Sequence, residues 1–253
     1  MPADLRERVA IVTGGGQGIG RGIALALGAS GASVVVAERN EATMEATCEE
    51  LRGRGVEALG VSCDVREAAD IERCIDAAVD RFGRLDILIN NAQMWHNTLL
   101  IDATDEDMEL TFTSGPLAVF RSMRYAYPHL KKQRGVIVNV GSGGSIMHDG
   151  KRFAVYSAAK NAIESLTRYA AVEWGADGIR ALLIMPAADS PALQKTRKET
   201  PELVAEREAR IPVGRFGDPE HDIGPPVAWL CSDDAQYMTG SIVMLDGGQM
   251  FTR

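Results

Sequence analysis

The chain has 253 residues, with 45% hydrophobic and 25% charged side chains and a formal net charge of −8. That is the balance of an ordinary soluble globular protein, with enough chain for one large buried core, and the negative charge argues against a nucleic-acid backbone as partner. No apolar run approaches bilayer length, and residues 1–8, with Asp4 and Glu7, lack the apolar core of a secretory signal. Cys48, Cys63, Cys74 and Cys231 show no metal-ligand or CxxC spacing, and His96, His129, His148 and His221 are scattered. They read as reduced, buried thiols of a cytoplasmic protein without a metal site.

In chain order, Val9-Ala10-Ile11-Val12 is a continuous apolar run, as expected of a strand buried on both faces. It runs into Thr13-Gly14-Gly15-Gly16-Gln17-Gly18-Ile19-Gly20, and a helical pattern opens at once with Ile23, Ala24 and Leu27. Strand, glycine turn and helix form a unit that lets backbone N–H groups and the positive helix end approach a pyrophosphate. Residues 33–37 are a second buried strand ending at Glu38-Arg39. Glu38 stands eighteen residues past Gly20, where a carboxylate bonds the ribose hydroxyls of NAD and repels the extra phosphate of NADP. Arg39 works the other way and could pair with that phosphate. NAD is therefore expected over NADP.

A helix is expected over 41–52, a strand over 56–61 that leads to Cys63-Asp64-Val65, and a helix over 67–82. A fourth strand, 85–89, leads to Asn90-Asn91-Ala92-Gln93. This alternation implies a doubly wound α/β fold, a parallel sheet with helices on both faces, and places each marked turn at a strand's carboxyl end, facing one crevice. Helices follow near 105–112 and 117–132, the second restarted by Pro116. A fifth strand, 136–140, ends at Gly141-Ser142-Gly143-Gly144-Ser145. A long helix over 154–174 carries Tyr156 and Lys160 one turn apart on one face. An ammonium ~6 Å from a phenol, at an effective dielectric of ~20, favours phenolate by roughly 3 kcal/mol, about two pK units. That expectation makes Tyr156 a general acid–base group. A sixth strand spans 180–184. Residues 187–215, polar and helical in places, suit a lid. A short helix over 222–230 and a strand over 241–245 complete one domain, 1–253. Met94, Trp95, His96, Met147 and Phe153 are expected near the mouth of the site, which suits an apolar or ring-bearing substrate, and His148 is a further candidate contact.

Taken together, Thr13–Gly20 as TGxxxGIG, Asp64-Val65, Asn90-Asn91-Ala92, Ser142 and Tyr156-x-x-x-Lys160 make the chain resemble the short-chain dehydrogenase/reductase family over nearly its whole length. The resemblance implies a seven-stranded parallel Rossmann sheet, a homotetramer, and hydride transfer between a nicotinamide and a secondary alcohol or ketone. It implies catalysis by Ser142, Tyr156 and Lys160. Cofactor contacts are implied from Gly14, Gln17, Gly18, Ile19, Gly20, Glu38, Arg39, Asp64, Val65, Asn90, Ala92, Tyr156 and Lys160. Four departures stand out. Gln93 replaces the glycine after Asn-Asn-Ala, and Gly115, before Pro116, stands where the family has a helix asparagine that helps hold a relay water. Ala187 replaces a glycine after Pro186, and Pro191, beside Ser190, replaces the residue that closes on the carboxamide. The lost asparagine and altered clamp keep alive a cofactor-binding protein with little redox activity, a sensor or scaffold, and the intact cofactor loop is compatible also with dehydration or epimerisation on the same site.

Overall fold

The computed structural model describes residues 3–147 and 152–250. Seven strands form one sheet in the order β3-β2-β1-β4-β5-β6-β7. They are β1 (Val9–Thr13), β2 (Ser33–Glu38), β3 (Ala58–Ser62), β4 (Ile87–Asn90), β5 (Val136–Val140), β6 (Arg180–Pro186) and β7 (Ile242–Leu245). Every pairing is parallel. The strand order reverses between β1 and β4, so a crevice opens there beyond the strands' carboxyl ends.

The sheet separates two cores. In β1, Val9 and Ile11 enter one cluster with Leu88, Ile137 and Leu183, while Ala10 and Val12 enter the other with Val34, Ile89 and Val138. Alternation of side chains across a strand explains why β1 is apolar throughout rather than at every second position. Each fully buried aliphatic side chain contributes roughly 1.5–3 kcal/mol, so the sheet's centre fixes the strand register.

Ten α-helices accompany the strands among the described residues: α1 (Gly18–Ala29), α2 (Glu41–Gly53), α3 (Ala68–Phe82), α4 (Asp105–Phe112), α5 (Ala118–Gln133), α6 (Gly144–Met147), α7 (Ala154–Trp174), α8 (Pro191–Glu199), α9 (Pro201–Ala209) and α10 (Gly224–Cys231). Asn40 caps α2 by accepting from the N–H groups of Ala42 and Thr43. Thr104 and Asp107 form a reciprocal capping box on α4.

Several expected boundaries shift for physical reasons. Strand β4 begins at Ile87 rather than at Leu85, because the Asp86 carboxylate accepts from Val9 N at 2.9 Å and from Arg84 at 2.8 and 2.7 Å. Strand β3 begins two residues late, and β6 runs on to Pro186. Pro116 does not break the chain's helical path. A wide π-type turn, Thr113–Leu117, joins α4 to α5 and absorbs the missing N–H. A second wide turn, Pro219–Ile223, precedes α10, and the polar segment after β6 forms α8 and α9. No helix among the described residues is long and apolar enough to cross a membrane.

Candidate active site

A cleft of about 1020 Å³ lies over the carboxyl ends of the strands. Its first part is the turn between β1 and α1. Helix α1 has no acidic residue in its first turn, and its N-cap residue Gln17 makes no side-chain cap, so the helix's positive end is left for a ligand. Gly20 lies so close to Gly14 that a Cβ there would sit 2.2 Å from Gly14 O. Only a bare backbone closes this turn.

Asn91 and Thr13 bind the turn to the neighbouring strand across the switch point. Asn91 Nδ2 donates to Thr13 O at 2.9 Å and Gly14 O at 3.2 Å, and Thr13 Oγ1 accepts from Asn91 N and Ala92 N at 2.9 and 3.1 Å. Sequence reading left the role of Asn91 unassigned, although its place in the Asn-Asn-Ala run was a signal.

The second part holds the acidic turns. The Glu38 carboxylate accepts from Arg39 N at 2.9 Å and Asn40 N at 3.1 Å, so it is fixed at the cleft wall. Asp64 is held well below the usual carboxylate range, chiefly by its hydrogen bonds from the Arg66 side chain. Arg39 reaches across to Asp64 at 3.9 Å.

The third part is the cluster of Ser142, Tyr156 and Lys160. Ser142 opens α6: its Oγ accepts from Gly144 N at 3.2 Å and its carbonyl accepts from Ser145 Oγ at 2.6 Å. The Ser142 side chain also acts on the Tyr156 hydroxyl, in the direction that favours the phenolate. Lys160 Nζ stands 5.5 Å from the Tyr156 ring centroid and donates to Val140 O at 2.6 Å. Burial pulls the Lys160 ammonium down to about 7. Burial also raises the Tyr156 phenol, against the smaller opposing effect of the Ser142 hydrogen bond. The lowered phenol expected from sequence is therefore not found. Desolvation of the phenolate decides the direction, and Lys160, itself drawn down by burial, is not among the groups that lower the phenol.

Aromatic rings close over this cluster. Trp95 stacks on Tyr156 with centroids 4.5 Å apart at 34°, and Phe153 meets the same ring edge-on at 6.3 Å. Met94, Trp95 and Phe153 line the cleft as expected, whereas His96 sits outside it, its Nδ1 2.7 Å from Asp107 Oδ1. The side chain of Met147, and His148 altogether, lie outside the described residues.

Every predicted catalytic or cofactor residue lines this one cleft except Asn90. Asn90 faces the core, where its Nδ2 donates to Asn139 Oδ1 at 2.8 Å across the strand register and Asn139 donates in turn to Thr167. Alternation along β4 turns residue 90 inward and leaves residues 91–95 to meet the cleft. Sequence reading did not single out Leu203 and Arg207 on α9, Arg210 just past its end, Phe216 or Met250, all of which line the cleft. The lid expected over 187–215 covers residues 203, 207 and 210, and their helical spacing was the signal that could have singled them out.

Gln93 is the anomaly. Both of its amide atoms are buried without a hydrogen-bond partner, alone in this among the described residues. A Cβ built on Gly115 would stand 2.6 Å from Gln93 Nε2, so the amide fills the space that a side chain at 115 would take. The Ser114 hydroxyl, next to Gly115, accepts from Met94 N at 3.0 Å and fixes this packing. A buried, unpaired amide costs about 1–3 kcal/mol.

The residues present fit a nicotinamide dinucleotide: a turn that any Cβ would block, an uncapped helix end, and a carboxylate fixed at the adjacent strand end, all in one cleft. A family model described as enoyl-(acyl carrier protein) reductase matches residues 14–250. The chain is similar to a 12α-hydroxysteroid dehydrogenase of a Clostridium species, 38% identical over 249 residues that cover 95% of this chain and 96% of the relative. It is similar also to 4-formylbenzenesulfonate dehydrogenase of Comamonas testosteroni, 36% identical over 97% of this chain and 99% of the relative. A solved structure from Sinorhizobium meliloti, described as a short-chain alcohol dehydrogenase, superposes with a TM-score of 0.92 at 32% identity, covering 97% of each chain. The chain belongs to the short-chain dehydrogenase/reductase family of oxidoreductases.

Proposed function

We propose that the protein is an NAD(H)-dependent oxidoreductase that interconverts a secondary alcohol and a ketone, with Ser142, Tyr156 and Lys160 as its catalytic residues. One observation carries this reading: the Ser142–Tyr156–Lys160 cluster lies in the same cleft as the glycine turn. The nicotinamide, when bound, supplies a hydride donor or acceptor at this site. Gly14, Gln17, Gly18, Ile19 and Gly20 would hold the pyrophosphate, Glu38 the ribose hydroxyls, and Asp64 and Val65 the adenine, with Ala92 and Lys160 nearer the nicotinamide.

Tyr156 gives its proton to the substrate oxygen in the reducing direction and takes it back in the oxidising one. Its raised pKa keeps the hydroxyl protonated at neutrality, the state that reduction requires. Ser142 donates to the same oxygen, where negative charge develops. Lys160, held near neutrality by burial, can exchange a proton with little change in free energy and returns the phenol to its starting state.

The preference for NAD rests on the fixed carboxylate of Glu38, and it is strengthened by Asp64, which draws Arg39 away from any added phosphate. Trp95 and Phe153 beside Tyr156 suit a ring-bearing substrate, and the names of the two relatives, a hydroxysteroid and a formylbenzenesulfonate dehydrogenase, carry rings as well. Helices α8 and α9, within residues 187–215, would act as the lid. We further read the whole chain as one domain, working in the cytoplasm with its four buried cysteines reduced, and as a homotetramer. Phe120 on α5 and Tyr169 and Val172 on α7 are exposed apolar side chains that such an assembly would cover.

A second reading, cofactor binding with little turnover, draws on the Trp95 ring laid over Tyr156 and on the bare Gly115. Purified protein, assayed at 340 nm with NAD and NADP separately against panels of secondary alcohols and ketones, decides between them. Turnover favouring NAD supports the first reading. Tight NADH binding with no turnover across the panel supports the second.

A further inference from the structure

Gln93 and Gly115 form a reciprocal pair. The long amide stands at the end of β4 and the bare backbone stands opposite, in the wide turn between α4 and α5. Of all buried side-chain polar atoms in the described residues, only the two of this amide lack partners, and the residue lines the cleft beside Met94 and Trp95. Neighbouring polar groups are paired: Ser114 with Met94, Asn91 with Thr13 and Gly14, Asn90 with Asn139. A native fold satisfies nearly every buried polar group, so an exception calls for a physical account, a functional role among them.

We propose that Gln93 is a ligand-recognition residue: its amide rests unpaired over Gly115 and turns into the cleft to hydrogen-bond a neutral polar group of the bound molecule. An amide offers one donor face and one acceptor face, so the matching group is a carboxamide, a hydroxyl or a carbonyl. Two sources carry such groups to this end of the cleft: the nicotinamide carboxamide, and a second oxygen function on the substrate. Gly115 makes the resting position possible, since any side chain there would crowd the amide out of it. This rests on the oxidoreductase reading for the identity of the ligands, but the unpaired amide itself does not depend on it.

The test uses Gln93→Met, which keeps the length and apolar stem and removes the amide, with Gly115→Ala as a second variant that displaces the amide without deleting it. In the empty protein, Gln93→Met is expected to raise the melting temperature by ~2–4 °C, because a buried unpaired group is removed. In the presence of ligand it is expected to weaken binding roughly three- to tenfold, the loss of one hydrogen bond. Calorimetric titration with NADH alone reads the cofactor arm, and KM for ketones with and without a second oxygen reads the substrate arm. Gly115→Ala is expected to keep ligand affinity at the wild-type level or above it, since the amide is already turned toward the cleft.

A lower melting temperature for Gln93→Met would overturn the inference, because it would mean the amide is already paired in the empty protein. A raised melting temperature with neither NADH affinity nor KM altered would also overturn it. Absence of turnover in the wild type would instead refute the oxidoreductase reading, and the NADH titration would then decide the role of Gln93 by itself.

Discussion

The two halves of the crevice are built on opposite electrostatic terms. In the half formed by β1, β2 and β3, the polar side chains at the strand ends are paired: Thr13 with Asn91 and Ala92, Glu38 with its own turn, Asp64 with Arg66. In the half formed by β4, β5 and α7, polar groups are buried at a cost. Lys160 is drawn down to about 7, Tyr156 is pushed up, and the Gln93 amide has no partner. A binding surface for a fixed ligand gains from rigidity, whereas groups that exchange protons gain from burial that shifts their titration. Removing the paired groups of the first half should therefore weaken the fold, and removing Tyr156, Lys160 or the Gln93 amide should hold or strengthen it, while activity falls in both.

The largest expected effect is on turnover. Tyr156→Phe should lower kcat by roughly 10²–10⁴, or about 3–5 kcal/mol of barrier, with the melting temperature held or raised. Steady-state kinetics beside a thermal melt checks both parts, and a collapsed fold would place Tyr156 with the paired groups instead. Next is the pH dependence of stability. Lys160 in the fold gives up its proton near 7, against an ordinary value of 10.5, so the unfolded chain binds more protons between those limits. Stability then rises with pH across that window, by an order of a few kcal/mol, and the penalty is fully present below pH 7. Urea unfolding at pH 7 and pH 9.5 should show this rise in the wild type and a flatter response in Lys160→Met. Equal slopes would break the contrast.

In the paired half, Asn91→Ala removes the donor to Thr13 O and Gly14 O and should cost about 1–3 kcal/mol of stability. A melt unchanged from wild type would mean the switch point does not need this bridge. The smallest effect expected is at Glu38. Glu38→Ala should move the ratio of kcat/KM for NAD over NADP by about tenfold toward NADP, as the repulsion of the extra phosphate is lost. Competition between the two cofactors measures it, and an unaltered ratio would assign the preference elsewhere.

Much of this was legible in the sequence because it depends on local pattern. Seven apolar runs separated by amphipathic segments marked the parallel sheet, and the turns at Gly14–Gly20, Glu38, Asp64 and Ser142 fell at strand ends. Helical spacing put Tyr156 and Lys160 on one face. What was not legible depends on three dimensions at once. Spacing gives the distance between phenol and ammonium but not the desolvation of each, and burial reversed the expected direction of the Tyr156 shift. Asn90 and Asn91 are neighbours in one motif, and only the strand register tells which faces the core. The pairing of Gln93 with Gly115 joins a strand end to a turn twenty-two residues later, so each looked like a separate loss until both were placed.

The central claim, that this cleft transfers a hydride between a nicotinamide and a carbinol carbon under the control of Tyr156, can be tested by following the hydrogen itself. A ketone that the protein accepts is incubated with NADH deuterated at the transferred position, and the product alcohol is read by mass spectrometry. The account predicts one deuterium on the carbinol carbon, formed at least a hundredfold more slowly by Tyr156→Phe. Cofactor that binds while the product carries no deuterium, or equal transfer by both proteins, would contradict it.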